Sequence, residues 1–549
     1  MPNPLLMDSI DAAVDYVLDT TDGDIVLGIP LGVGKPNPFV NALYHRIKAN
    51  PARRLKIITA LSLEKPTGKS ELERNFLAPL VERVFADYPD LEYVKDLRGD
   101  GLPPNIEICE VFMKTGDYLG NDVAQQNYMS TNYTHIARDM EAQGMNVMAQ
   151  AIASKDDADN LRLSLSSNPD VVMEVMDKFR ASGKKITAIG VINHQMPFMP
   201  NTAEVGPDFF DVLVNDPAGT HAVFAPPNNK VSLTDYAIGI HASSLVADGG
   251  TLQIGIGSLG DAIGQALIVR DRHSAEYRRI LESICPDGLA GRDLGRFEQG
   301  LYGCSEMFVN GFLKLIEAGI IRREVFGDVV LQQLLNRGTI ADASVTPQTL
   351  RALLDSGRVR SPIGPEDLAY LQRFGVLRPD VRLDGEELVL EEQRCSANLH
   401  EDQAFDAVCQ HMLGTRLLGG ITMTGGFFLG PRDFYERLRT MPEHELAKVD
   451  MTRIDFINQL YGQEDLKRAQ RRKARFMNTT MIVTLLGAAA SDALESGQVV
   501  SGVGGQYNFV AMSHALPDAR LIMMLRATHD NKAGLKSSIV WNYGHVTIP

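Results

Sequence analysis

Four stretches of the sequence hold residue types that can do chemistry at close quarters. In LYGCSEMFVNGF, Glu306 follows Gly303 closely among apolar and small neighbours, where a solvated glutamate is unexpected. Such a carboxylate is either a buried structural group or a candidate nucleophile or base. In TLQIGIGSLGDAIGQAL, Gly255, Gly257 and Gly260 spell G-x-G-x-x-G between a strand and a helix. Glycines admit a ligand close to the backbone, and amides at a helix start favour phosphate or a developing oxyanion. FMNTTMIVTLLGAA supplies Asn478 at the head of a strand, and SGVGGQYNFV supplies Gly502, Gly504 and Gly505 at the end of another. Backbone N–H groups freed at a strand's C-terminal end are what an oxyanion requires. Each glycine stretch also reads as an ordinary tight turn.

Several familiar chemistries fail on spacing. A dinucleotide fold should reach a second strand with an acidic residue about 20 positions on. Here the chain runs on from Gly264 to Ile284 as a charged helix containing RDRHSAEYRR. GIPLGVGKP is not a P-loop: the gap between Gly28 and Gly34 is one residue too long, and Pro36 stands where Ser or Thr should hold magnesium. Cys395, His400, Cys409 and His411 match no zinc spacing, so no metal is expected, and no G-x-S-x-G marks a serine nucleophile.

These residues must be positioned by a large soluble scaffold. The 549 residues exceed one ordinary core, and 44% apolar with 22% charged residues is a globular profile. A formal charge of -15 argues against nucleic acid as the main partner. The basic run Lys467 to Arg475 reads as a solvated helix face with no role in the site. Five scattered cysteines fit free thiols in a reducing compartment. The N-terminus lacks a basic, apolar signal, and no apolar stretch is long enough to span a membrane, so a cytoplasmic location is expected.

Short apolar runs alternate with helical patterns: Ile25–Ile29, Leu55–Leu61, Ile106–Phe112, Asn146–Ile152 and Ile186–Ile192 predict a largely parallel α/β sheet. Asn168 can cap a helix with Pro169 in its first turn, and Gly183 supplies the stop. The Pro-, Asn- and Gly-rich segment between Asn215 and Leu233 predicts a domain boundary. Strand-like runs resume at Leu252–Ile256, Ile421–Thr424, Met481–Leu485, Val499–Val503 and Leu521–Leu525. Polar, helix-rich stretches at 268–300 and 345–415 read as insertions over this second sheet.

In combination, GIPLGVGKPNPFVNALY, NHQMPFMP, LQIGIGSLGDAI, CSEMF, ITMTGGFFLG, MNTTMIVTLLGAA, SGVGGQYNFVAMSHALPDAR and SSIVWNYGHVTIP resemble the acetyl-CoA hydrolase/transferase family of class I CoA-transferases. The resemblance implies two open α/β domains of CoA-transferase type with a mainly parallel sheet, residues 1–225 and 235–549, helical insertions in the second, and an active site in the cleft between them. It makes Glu306 the nucleophile, Gly504 and Gly505 backbone donors to the thioester oxygen, and Asn478 the family's strand asparagine. Gly255 and Gly257, with Gly502 and Gln506 of the glycine-rich loop, look like coenzyme A contacts. The implied substrates are acetyl-CoA or another short acyl-CoA and a short carboxylic acid, with no permanently bound cofactor, no membrane partner, and a homodimer as a compatible assembly. Hydrolysis of acetyl-CoA at the same site is the alternative activity. An NAD-dependent oxidoreductase using Gly255, Gly257 and Gly260, or a non-catalytic CoA-binding protein, are the readings from other classes.

Overall fold

The computed structural model describes residues 3–548 except 100, 158–159, 229 and 532–533. Residues 1 and 549, the outer bounds of the two expected domains, lie outside the described residues. Runs such as IVLGIPL are apolar at almost every position, so both faces of the strand must be covered, which is the condition of a buried parallel sheet. That sheet forms from β1 (Leu5–Met7), β2 (Ile25–Leu31), β3 (Leu55–Ala60), β4 (Ile106–Glu110), β5 (Val147–Asp157), β6 (Thr187–Ile192) and β7 (Val212–Val214). Their order is β1-β7-β6-β5-β2-β3-β4, and every neighbouring pair is parallel. Asn160–Ser164 and Glu204–Val205 extend it with antiparallel pairings beside β5.

The second sheet is built from β8 (Thr251–Ile254), β9 (Tyr302–Phe308), β10 (Met423–Phe428), β11 (Val449–Met451), β12 (Arg475–Thr479) and β13 (Arg520–Met524). Its order is β11-β10-β9-β8-β12-β13, again parallel throughout. One hydrophobic cluster joins the two halves: Val33, Leu63, Phe85 and Phe224 from the first pack with Ile254, Phe308, Phe312 and Phe428 from the second. Closing this seam removes a large apolar area from water, and it fixes the two sheets relative to each other. The α/β class and parallel sheets expected from the sequence are present.

Several local expectations give way. The run at 499–503 is not a strand, because Gly502 and Gly504 interrupt it; its carbonyls instead accept N–H groups of Met113 and Gly116 from the first half. Residues 481–485 contribute only Ile482–Thr484, and to a small separate sheet. The helix expected from Asn168 begins at Val172, since the Asn168 side chain is occupied by Ser167 and Asp170; Gly183 ends it as expected, at φ 68°. The basic run is only partly solvated: Arg468 and Lys473 are exposed, whereas Lys467, Arg471 and Arg475 are buried and donate to main-chain carbonyls, as in the Arg471 bonds to Phe456 and Ile457. Of the two expected insertions, only the later one has a core of its own, from Phe326 to Leu417. The earlier one takes in the end of the helix Ser258–Arg272 and all of its neighbour Ser274–Ile284, two helices packed together through Ala266, Tyr277 and Leu281. The five cysteines are free thiols, and among the described residues no helix is long and apolar enough to cross a membrane.

Candidate active site

Glu306 stands on β9, a strand whose small Gly303-Cys304-Ser305 segment lets flanking strands and helices close in on both sides. The register places its neighbours. Leu252 of β8 pairs with Gly303, and Ile254 pairs with Met477 of β12. Counting on from these pairs, Glu306, Gly255 and Asn478 come to one level at the C-terminal ends of three adjacent strands. On the other side, Ser305 and Met307 pair with Gly425 and Phe427 of β10, so Gly426 lies beside Glu306. The carboxyl ends of strands in an open parallel sheet are where such folds bind ligands.

The Glu306 side chain opens into a cleft of about 930 Å³ between the two halves. Gly257, Met307, Phe427, Leu429 and Gly504 line it from one side, and Leu61, Phe112, Tyr133 and Phe224 from the other. Lys65, Lys69, Arg98 and Lys114 also line it, with Arg98 paired to Glu64 and Asp117, Lys114 to Asp117 and Lys65 to Asp90. These four basic side chains stand against Glu64, Asp117 and Glu306 in the same lining, which leaves the cleft close to neutral in a chain of net charge -15.

One oxygen of the carboxylate is held and the other is free. Asn458 Nδ2 donates to Glu306 Oε2 at 2.8 Å, whereas Oε1 has no hydrogen-bond partner among the described residues. Asn458 itself is fully buried, at the end of the short helix Ile454–Ile457. Gly505 closes the other side: a methyl group there would overlap both Glu306 Oε2 and Asn458 Nδ2. Burial lifts the Glu306 carboxyl to about 7, against the Asn458 hydrogen bond that lowers it and with some help from the charge of Asp170. The result is a carboxylate of raised basicity, pinned through Oε2 by one neutral amide and with Oε1 unpartnered among the described residues.

The first half clamps these partners. Tyr133 N–H donates to Gly504 O at 3.0 Å, and its hydroxyl donates to Asp170 at 2.5 Å. The main-chain carbonyl of Asp170 in turn accepts from Ile454 N–H at 2.9 Å, at the start of the helix that carries Asn458. Buried Asp170 is lifted to about 6 by desolvation.

The residues singled out in the sequence are not all brought together. Glu306, Gly257, Gly504 and Gly505 meet at the cleft. Gly255 faces open space at the level of Glu306. Asn478 closes β12 instead of heading a strand, and its amide donates to Gln253. Gly502 packs on Phe112, and Gln506 donates to Thr479 O from the first turn of the helix Gln506–Ala515. Gly504 adopts φ 57°, which favours glycine, whereas Gly505 at φ -110° could hold any residue if there were room. No sequence pattern pointed to Asn458, Tyr133 or Asp170, because the Asn458–Glu306 contact joins residues 152 apart. Among the described residues no group of three or more metal-ligating side chains is present.

The raised carboxyl sets a pH dependence. The nucleophilic form of Glu306 exists above its own titration, so turnover should fall about tenfold per pH unit below about 7. Stability runs the opposite way: the fold favours the protonated acid, so stability is fully present below the ordinary glutamate value and is lost as pH rises to about 7. Glu306→Gln should therefore melt higher than the parent at pH 8 and equal to it near pH 4. A parent and variant with the same difference at both pH values would contradict this.

Comparison with known proteins bears on the same features. Residues 430–549 match the model of the acetyl-CoA hydrolase/transferase C-terminal domain. Among curated proteins none matches. Among solved structures, RipA from Yersinia pestis is similar over 98% of this chain and 88% of its own, with 15% identity and a TM-score of 0.55. A point mutant of RipA aligns over 99% and 87%, with 16% identity and a TM-score of 0.58. The 4-hydroxybutyrate CoA-transferase of Porphyromonas gingivalis aligns over 99% and 86%, with 13% identity and a TM-score of 0.51. The family resemblance seen in the motifs is thus met independently over residues 430–549, and the chain shares its fold with RipA and 4-hydroxybutyrate CoA-transferase.

Proposed function

We propose that the protein is an acyl-CoA:carboxylate CoA-transferase that works through a glutamyl-CoA thioester on Glu306, with residues 1–225 and 235–549 as its two domains. The observation that carries this reading is the pairing of a free Oε1 with a pinned Oε2 on a basic, half-desolvated carboxylate. The C-terminal family match supports it, and Lys65, Lys69, Arg98 and Lys114 in the cleft lining can meet the phosphates of coenzyme A.

In the first half-reaction Oε1 attacks the thioester carbonyl, the C–S bond breaks, and an acyl-glutamyl anhydride and CoA thiolate result. The thiolate then attacks the glutamyl carbonyl, releasing the acyl group as a carboxylate and leaving CoA on Glu306. A second carboxylate reverses these steps and departs as the new acyl-CoA. Asn458 stabilises the oxygen that gains charge at the glutamyl carbonyl, through the amide that already donates to Oε2. With water in place of the second carboxylate, the same steps hydrolyse the thioester.

Because CoA stays on the enzyme between half-reactions, varying acyl-CoA and carboxylate together should give parallel double-reciprocal lines. Intersecting lines would contradict the covalent route.

A further inference from the structure

Behind the cleft, in the first half, lies a second and smaller chamber of about 40 Å³. Leu31, Ala60, Val111 and Ile136 line both spaces, so the chamber is separated from the nucleophile's cleft only by these side chains. Its far walls are Met140, Met145, Met148, Val171, Val172 and Val175. The polar side chains that touch it are already engaged. Asn168 accepts from Ser167 at 2.5 Å and donates to Asp170 at 3.2 Å, Asp170 accepts from Tyr133, and Thr59 donates to Pro30 O at 3.4 Å. Nothing in the chamber is left to recognise a hydroxyl, an amine or a second carboxylate.

We propose that this chamber receives the acyl tail, and that the preferred carboxylate is an apolar, unbranched or methyl-branched acid of roughly four to six carbons instead of acetate. The inference rests on the transfer reading above. A volume of about 40 Å³ holds about three groups of water size on the scale where one takes roughly 10–15 Å³, which is room for a short tail and not for a long one. Ala60 is the smallest of the four side chains that line both spaces. The methionines on the far side are unbranched and can rearrange around different chains, whereas Val172 and Val175, presented by the helix Val172–Ser182, set a fixed limit. Acetate would leave the chamber empty, and an apolar chamber without a tail gains nothing from contact with water.

The test uses the full chain with acetyl-CoA as donor and ¹³C-acetate, butyrate, 3-methylbutyrate or hexanoate as acceptor, reading each new acyl-CoA by mass spectrometry. Each methylene buried is worth about fourfold, so butyrate should exceed labelled acetate by roughly tenfold in kcat/KM. Val175→Phe fills the chamber from a side that does not line the cleft and should bring that ratio near one. Acetate equal to or better than butyrate would overturn the chamber while leaving CoA transfer standing. A tenfold ratio that Val175→Phe does not reduce would likewise overturn it. Failure of all four acceptors to yield any acyl-CoA would overturn the transfer reading, and the chamber's role with it.

Discussion

Glu306→Ala should abolish CoA transfer in a protein that still folds, and Glu306→Gln should do nearly the same. The expected loss is many orders of magnitude, since the other carboxylates lining the cleft, Glu64 and Asp117, are held by Arg98. Folding should survive, because Glu306 makes one side-chain hydrogen bond and its charged form is disfavoured where it sits. Glutamine keeps the shape and can still meet Asn458, so it separates loss of the nucleophile from loss of the contact. Activity normalised to folded protein, alongside a thermal melt, reads both. A folded Glu306→Ala protein with near-normal turnover would sink the assignment.

Gly505→Val should cost at least about 10²-fold in turnover, with a fall in melting temperature from overpacking that is too small to account for it. Its backbone at φ -110° accepts valine, so the change does not act through strain. It acts through volume: the first side-chain carbon already overlaps Glu306 Oε2 and Asn458 Nδ2, and the further methyl groups enter the same space. The hydrogen bond that pins Oε2 must then break or shift. Gly504 is the contrasting case, where φ 57° makes any side chain a folding problem as well. Full activity in a destabilised Gly505→Val variant would remove this loop from the active site.

The parts of the fold legible in the sequence were those written in contiguous patterns. The five apolar runs of the first half each became a strand at nearly the expected place, because burial on both faces demands unbroken apolar sequence. β9 escaped this reading: its Tyr302–Phe308 run mixes glycine, serine and glutamate with its apolar residues, so no unbroken apolar pattern marks it. The glycine loop was misplaced onto a strand because a glycine-interrupted apolar run looks extended until its partners are known. The basic run misled for a related reason, since main-chain carbonyls from distant loops accept hydrogen bonds from its buried guanidinium groups. Within the site, Glu306 and the two glycines carry local motifs. Asn458, Tyr133 and Asp170 reach it from separate loops, and only the closing of one half on the other brings them there.

The most direct test of the account is the mass of the intact protein after incubation with acetyl-CoA, with and without borohydride. A glutamyl-CoA thioester predicts a CoA-sized increase on the parent protein, its replacement after borohydride by the small mass loss of a glutamate reduced to an alcohol at residue 306, and neither change in Glu306→Gln. An unmodified parent mass during active turnover, or the same adduct in Glu306→Gln, would contradict it.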